Sequence, residues 1–397
     1  MIVPSTTTID PPGEPDSRNR LDIFILIDAL GWEYIKDRPF LNELLPYRRP
    51  LQTVLGFSSG AIPTLLTGAW PDVTGHWNLF YYDPDGSPFR WLRYLRFVPD
   101  VILNHRVSSK ILKELGRHVL GLGPLFDCCV RPSLLRWFNW VERKNIYGYD
   151  GISGAPSIFD DLKKRRIPHK IYTYHDNNDL EIVKQAQKDV RSGQAAFFFL
   201  YLSEMDMFLH ENCTNEAKID KTIGWYAEQI KSVYDTARQV SKNVSLTIFS
   251  DHGMTPVSNK YDLMRDIEQT GFRPPKDYLA VYDSTMARFW FFNAESRLAV
   301  EQVLERATCG RVLPEAELKR MGVFFSDHRF GELIFLLNPG WLLSRSDFNG
   351  AQWNPSGMHG YHPSDKYSSG IFLSSETPSR DVHDLTDVYN CMREATL

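Results

Sequence analysis

The chain has 397 residues, 43% of them hydrophobic and 24% charged, with 45 Lys/Arg against 49 Asp/Glu and a formal net charge of −4. This composition excludes a disordered or fibrous chain, and the slightly acidic balance argues against a general nucleic-acid binder. No apolar run approaches the ~20 residues of a membrane span. Residues 1–20 are polar and proline-rich, without the apolar centre of a signal peptide, so a flexible arm on a cytoplasmic protein is expected.

The first element is the apolar run 21–27 (LDIFILI), which reads as a buried parallel strand delivering Asp28 at its C-terminal end. Residues 56–68 form a small-residue turn around Ser58, Ser59 and Gly60, followed by an apolar helical turn. A serine at that place is either a helix cap or a nucleophile favoured by the helix dipole and a bound cation. Residues 85–144 hold 11 Lys/Arg against 5 Asp/Glu, a local +6 that leaves −10 on the remainder, and are dense in Trp, Phe, Tyr and Leu. They read as an inserted helical cap, either with its aromatics in a small core of its own or as a basic, aromatic wall for an anionic or lipid-like substrate.

Residues 195–202 (AAFFFLYL) repeat the strand pattern and run into Asp206, with His210 four residues on. That spacing places a carboxylate and an imidazole on one side of a helical turn. Helical spacing of Ile219, Ile223, Tyr226, Ile230, Val233 and Ala237 marks a helix over 218–240. The run 244–249 (VSLTIF) is a third strand and ends in Asp251-His252-Gly253, whose glycine is expected to permit a turn. Residues 256–345 read as a second insertion with strands of its own, and Gly357-Met358-His359-Gly360-Tyr361-His362 as a histidine-bearing loop.

Strands alternating with helices predict an α/β protein with a mostly parallel sheet covered on both faces, inside a catalytic domain over 21–397. Ligands of such sheets bind beyond the carboxyl ends of the strands, where three strands here deliver Asp or His. Mixed imidazole and carboxylate sets suit Zn²⁺, with Mn²⁺ or Fe²⁺ as alternatives. Six ligands are enough for two ions ~4 Å apart, an arrangement that serves in-line displacement at phosphorus. The five cysteines (Cys128, Cys129, Cys213, Cys309, Cys391) have no zinc-finger spacing and read as reduced thiols, and the sequons at Asn212 and Asn243 carry no weight without a secretion signal.

The strand ending at Asp28, the segment SSGAIPTLLTGAWPDVTGHWN, the Asp206/His210 pair, DHGM at 251–254 and GMHGY at 357–361 occur together in this order. The set resembles the alkaline phosphatase superfamily, in particular its type I phosphodiesterase/nucleotide pyrophosphatase branch, over residues of about 21 to 375. The resemblance implies a two-zinc hydrolase of phosphodiester or pyrophosphate bonds working through a phospho-serine. Asp206, His210 and His359 would hold one ion, and Asp28, Asp251 and His252 the other, with Ser58 as nucleophile and ligand and Asn78 on a phosphoryl oxygen. Ser58 is chosen over Ser59 by its spacing from Gly68, and His359 over His362 by the HGY pattern.

The chain departs from that branch in having Ser58-Ser59-Gly60-Ala61 where a Thr-Phe-Pro-Asn-like setting is usual. Ile62 occupies the arginine position of a sulfatase signature, and no arginine follows the nucleophile as in monoesterases. The expected partner is a small phosphate ester or nucleotide-like substrate, without nucleic-acid binding, and with anionic lipid or a lipid-linked substrate at the 85–144 cap as an accessory expectation. A phosphonate hydrolase, phosphomonoesterase or phosphotransferase of the same superfamily is the alternative chemistry. A binding protein that keeps the fold without catalysis is the alternative of another class.

Overall fold

The computed structural model describes residues 20–95, 97–119, 131–141, 143–175, 177–348 and 353–396. Nearly all of the expected N-terminal arm (residues 1–19), together with Cys128 and Cys129, lies outside the described residues, while Cys213, Cys309 and Cys391 are free thiols. Among the described residues no helix is long and apolar enough to cross a membrane.

A six-stranded sheet forms the centre, with strands β1 (Arg20–Ile27), β2 (Tyr47–Leu51), β3 (His169–Tyr172), β4 (Phe197–Leu202), β5 (Asn243–Phe249) and β6 (Gly370–Ser374). Their spatial order is β2-β6-β5-β1-β4-β3. β1, β3, β4 and β5 are mutually parallel, while β6 runs antiparallel to β5 and β2.

The near-continuous apolar character of β1, β4 and β5 follows from burial on both faces. Ile23, Ile25 and Ile27 of β1 share a core with Ile182 and Val183 of a helix over Asp179–Ser192, and with Ile219, Ile230 and Val233 of a helix over Glu216–Val240. Phe24 and Leu26 share the opposite core with Ile62 and Leu65 of α1 (Ser58–Thr67) and Leu385 and Val388 near the C-terminus. Helices on both faces of a mostly parallel sheet are the architecture expected from the strand and helix pattern.

Residues 256–345 hold a four-stranded antiparallel sheet over Tyr278–Tyr282, Met286–Phe291, Leu333–Leu337 and Gly310–Val312. The basic stretch is built from helical turns, including Arg90–Leu95, Arg106–His118 and Pro132–Trp137. Its Phe89, Leu92, Leu134, Leu135 and Phe138 do not make a separate core. They pack with Leu279, Val281 and Trp290 of the second sheet, so the two stretches share one apolar cluster.

Candidate active site

β1, β4 and β5 end level with one another, since Ile27 pairs with Leu202 and Leu26 with Phe249. Each strand therefore releases its chain at one edge of the sheet. Asp28 follows β1, the helix α2 (Glu204–Asn212) follows β4, and Asp251-His252 follow β5. In α2, Asp206 and His210 sit one turn apart, with Oδ2 of Asp206 3.3 Å from Nε2 of His210. His359 approaches from another direction, just after the short strand Gly357–Met358, which pairs with Thr255–Pro256 where a loop is expected from the sequence. Its Nε2 lies 3.7 Å from Oδ1 of Asp206.

The second group forms around His252, whose Nε2 is 3.2 Å from Oδ2 of Asp251 and 3.5 Å from Oδ1 of Asp28. Within each group of three, one ligand atom per residue lies within 4.8 Å of the others. The rings of His252 and His359 stack with centroids 3.9 Å apart, so the two groups adjoin. Backbone carbonyls fix the imidazoles: Nδ1 of His210 donates to Gly357 at 2.9 Å and Nδ1 of His252 to Gly253 at 2.9 Å. Both rings thus turn Nε2 toward the carboxylates.

Several of these donor atoms have nothing to bind. Among the described residues, Oδ1 of Asp28, Oδ1 of Asp206, Oδ2 of Asp251 and Nδ1 of His359 are buried without a hydrogen-bond partner. Burial, then repulsion from Asp251 and Asp206, pushes the Asp28 carboxyl well above the usual range. Burial also works against ionised Asp206, but the neighbouring His210, His359 and His252 outweigh it and hold that carboxyl below the usual range. His210 is the converse: burial pulls it down, and Asp206 brings it above its ordinary value. Burial and the adjacent His252 pull His359 down. Unpartnered buried oxygens that repel one another are costly unless a cation sits among them. Three imidazoles and three carboxylates are a donor set that fits a pair of zinc ions.

α1 begins inside this site. Oγ of Ser58 lies 3.0 Å from Nε2 of His252. The residue in the N-cap position is Phe57, which makes no side-chain cap, so Ser58 is not spent on capping the helix. Ser59 is occupied elsewhere, donating its hydroxyl to the Trp77 carbonyl at 2.7 Å. Gly60 allows that approach, because a Cβ there would stand 2.9 Å from the same carbonyl oxygen. The buried Asn78 follows, with Nδ2 donating only to the weak acceptor Sδ of Met286 at 3.4 Å and Oδ1 without a partner.

Gly253 has a reason other than a turn. Its φ is not positive, but a Cβ would lie 2.2 Å from the carbonyl oxygen of Tyr367 and 2.8 Å from that of Ser369. Close backbone approach selects the glycine. His362 stays outside both groups, with Nε2 3.1 Å from Glu317 and Nδ1 2.6 Å from the Ser364 hydroxyl. Sequence reasoning missed Tyr201, whose hydroxyl donates a short hydrogen bond to Oδ2 of Asp28, and Thr53, which donates to the Asp251 carbonyl at 2.7 Å. Tyr201 carries the one hydroxyl in the buried run FFFLYL, and a buried tyrosine hydroxyl needs a partner.

The fold has counterparts among solved structures. The structure superposes on murine ectonucleotide pyrophosphatase/phosphodiesterase 5 with a TM-score of 0.66 at 16% identity, covering 95% of each chain. An inactive variant of that murine protein in complex with AMP gives 0.65 at 16% identity, and the human protein 0.66 at 14%, again over 95% of each chain. At these identities the likeness establishes the fold. A search of curated proteins returns no match. The family model for type I phosphodiesterase/nucleotide pyrophosphatase matches residues 23–362, a span that contains every member of both clusters and Ser58 and Asn78. The chain belongs to the type I phosphodiesterase/nucleotide pyrophosphatase family, a hydrolase branch of the alkaline phosphatase superfamily.

Proposed function

We propose that the protein cleaves phosphodiester or pyrophosphate bonds through a phospho-serine at Ser58, with Asp206, His210 and His359 holding one zinc ion and Asp28, Asp251 and His252 the other. The observation that carries this reading is the pair of adjoining three-residue groups, in which one oxygen of each carboxylate and Nδ1 of His359 are buried without a hydrogen-bond partner among the described residues. When bound, the two ions would polarise a phosphoryl oxygen and lower the pKa of the attacking hydroxyl or water.

The protein's own groups supply the rest. Oγ of Ser58 forms the bond to phosphorus as the bond to the leaving oxygen breaks in line. The serine proton goes to solvent and the leaving oxygen takes one up. Water then cleaves the Oγ–P bond and regenerates the serine, releasing a phosphomonoester. The N-terminal end of α1 favours the negative charge that develops at Ser58. Nδ2 of Asn78 exchanges its weak thioether acceptor for a phosphoryl oxygen, which strengthens as charge builds. The AMP complex of the murine protein supports a nucleotide or related phosphate ester as substrate class.

Hydrolysis of bis(p-nitrophenyl) phosphate against p-nitrophenyl phosphate, with metal content measured on the same protein, tests the proposal. The expected result is zinc near two per chain and preference for the diester. Ser58→Ala is expected to keep its zinc and lose at least about 10³-fold in turnover, as removal of a covalent nucleophile does. Ser59→Ala is expected to remain active. Turnover on the monoester alone would replace the diester reading with a phosphomonoesterase, and full activity in Ser58→Ala would remove the phospho-serine.

A further inference from the structure

The basic cap carries a surface that the hydrolytic site does not use. A cleft of about 670 Å³ is lined by Arg90, Arg93 and Arg136 together with Tyr94, Phe97 and Trp137, and Asp85 is the one acid on its wall. None of the three guanidiniums makes an ion pair among the described residues. Arg90 donates to the backbone carbonyl of Asp85 at 3.2 Å, Arg93 lies over the Tyr94 ring, and Arg136 lies over the Trp137 ring with Nε buried and unbonded. No carboxylate among the described residues therefore pairs with these three guanidiniums.

The same module exposes apolar side chains. Six of the thirteen exposed large hydrophobics among the described residues fall between 94 and 119: Tyr94, Phe97, Ile102, Val107, Ile111 and Val119. Phe97 is 77% exposed, and Val107 and Ile111 stand four apart on the helix Arg106–His118, outside the side on which Leu112 is buried. Single exposed apolar residues need no explanation, but a concentration beside unpaired arginines does. The local +6 of residues 85–144 stands against −10 on the remainder of the chain. A purely solvated face has no use for exposed Phe and Ile, and the surplus of positive charge over this stretch calls for an anionic partner surface.

We propose that this face docks the protein on an anionic lipid bilayer. The guanidiniums would meet the phosphates of the headgroups, and Tyr94, Phe97 and Trp137 would enter the interfacial layer that amphipathic aromatics favour. Contact is superficial, with no spanning segment, which agrees with the absence of a long apolar helix among the described residues. The proposal is independent of the zinc reading of the catalytic site.

Co-sedimentation of the full chain with vesicles of phosphatidylglycerol and phosphatidylcholine, against vesicles of phosphatidylcholine alone, tests it. The protein is expected to pellet with the anionic vesicles and to stay in solution with the neutral ones. Arg90→Glu with Arg93→Glu is expected to lower the partition coefficient at least about tenfold, because each basic residue contributes substantially near such a surface. Phe97→Ser, a change at an exposed position, is expected to weaken binding separately, and both variants are expected to hydrolyse the soluble diester at the rate of the unaltered protein. Failure to pellet with anionic vesicles overturns the proposal, as does binding that survives both variants. Release by inorganic phosphate at an ionic strength where chloride has no effect would place a soluble anion in the cleft and likewise overturn it.

Discussion

The Asp28 carboxylate is tethered through one oxygen and free at the other. Oδ2 accepts the Tyr201 hydroxyl, while Oδ1 faces His252 without a hydrogen bond. Burial and the charge of Asp28 push the Tyr201 phenol well above its ordinary value, so it stays a donor. Tyr147 and Tyr174 pack on its ring with centroids 5.6 and 5.4 Å away, which fixes the direction of the hydroxyl. Tyr201 thus acts through Asp28 as a positioning residue. Tyr201→Phe keeps the ring packing and removes only the hydrogen bond. Zinc affinity is expected to fall about 10- to 100-fold, the usual effect of removing a ligand's outer partner. Competition against a chromophoric chelator measures it, and unchanged affinity would reduce Tyr201 to a packing residue.

Among the elements, the sheet strands that carry site residues were the easiest to read. β1, β4 and β5 stand out as apolar runs because both their faces are buried, and an acidic or imidazole residue directly after such a run is conspicuous. β2 was illegible for the opposite reason: as an edge strand it reads YRRPL, with polar residues and a proline that only an edge tolerates. The role of Gly253 could not be read locally either, since the backbone that crowds it lies more than a hundred residues away. Nor could the core shared by the two insertions, which depends on a contact between segments that the sequence separates. One link inside the second insertion has a measurable consequence. Tyr282 donates its N–H to Oδ2 of Asp347 at 2.9 Å and accepts from the Asp347 N–H at 2.7 Å, joining the end of a strand to the segment carrying Phe348, which stacks on Phe57 beside the site. Burial raises the Asp347 carboxyl from 3.8 to about 6, despite that hydrogen bond. The folded state therefore holds this proton more tightly than the unfolded chain, so its contribution to stability falls as pH rises from about 4 to 6 and stays lost above. The penalty at neutral pH is on the order of 3 kcal/mol. Asp347→Asn keeps an acceptor for Tyr282 and removes the charge. Its melting temperature is expected to exceed that of the unaltered protein at pH 7 and to converge with it near pH 4, and a pH-independent difference would contradict this assignment.

At the scale of the whole molecule, the candidate active site is an electrostatic problem shared by segments more than three hundred residues apart. Asp28, Asp206 and Asp251 reach one place from three strand ends, and His359 closes it from a fourth segment. Without cations, burial and the neighbouring Asp251 and Asp206 oppose the ionised Asp28, whereas the histidines hold Asp206 ionised, so the Asp28 and Asp251 side of the site works against folding. Ligands that bind only the folded chain reverse that balance by mass action, contributing about 4 kcal/mol when present at 1,000 times their dissociation constant. For a chain of 397 residues the entropy of unfolding converts this into about 5 °C. If the protein holds zinc as proposed, chelation is therefore expected to lower the melting temperature by at least that amount, and restored zinc to recover it. Asp251→Asn separates the two contributions, because it relieves repulsion in the metal-free protein while weakening the second metal group. The metal-free variant is expected to melt above the metal-free unaltered protein, and its response to zinc is expected to shrink. A metal-free variant that melts lower would mean that the Asp251 carboxylate stabilises the fold through its side-chain contacts to the Ala29 N–H and to His252 rather than opposing it through repulsion.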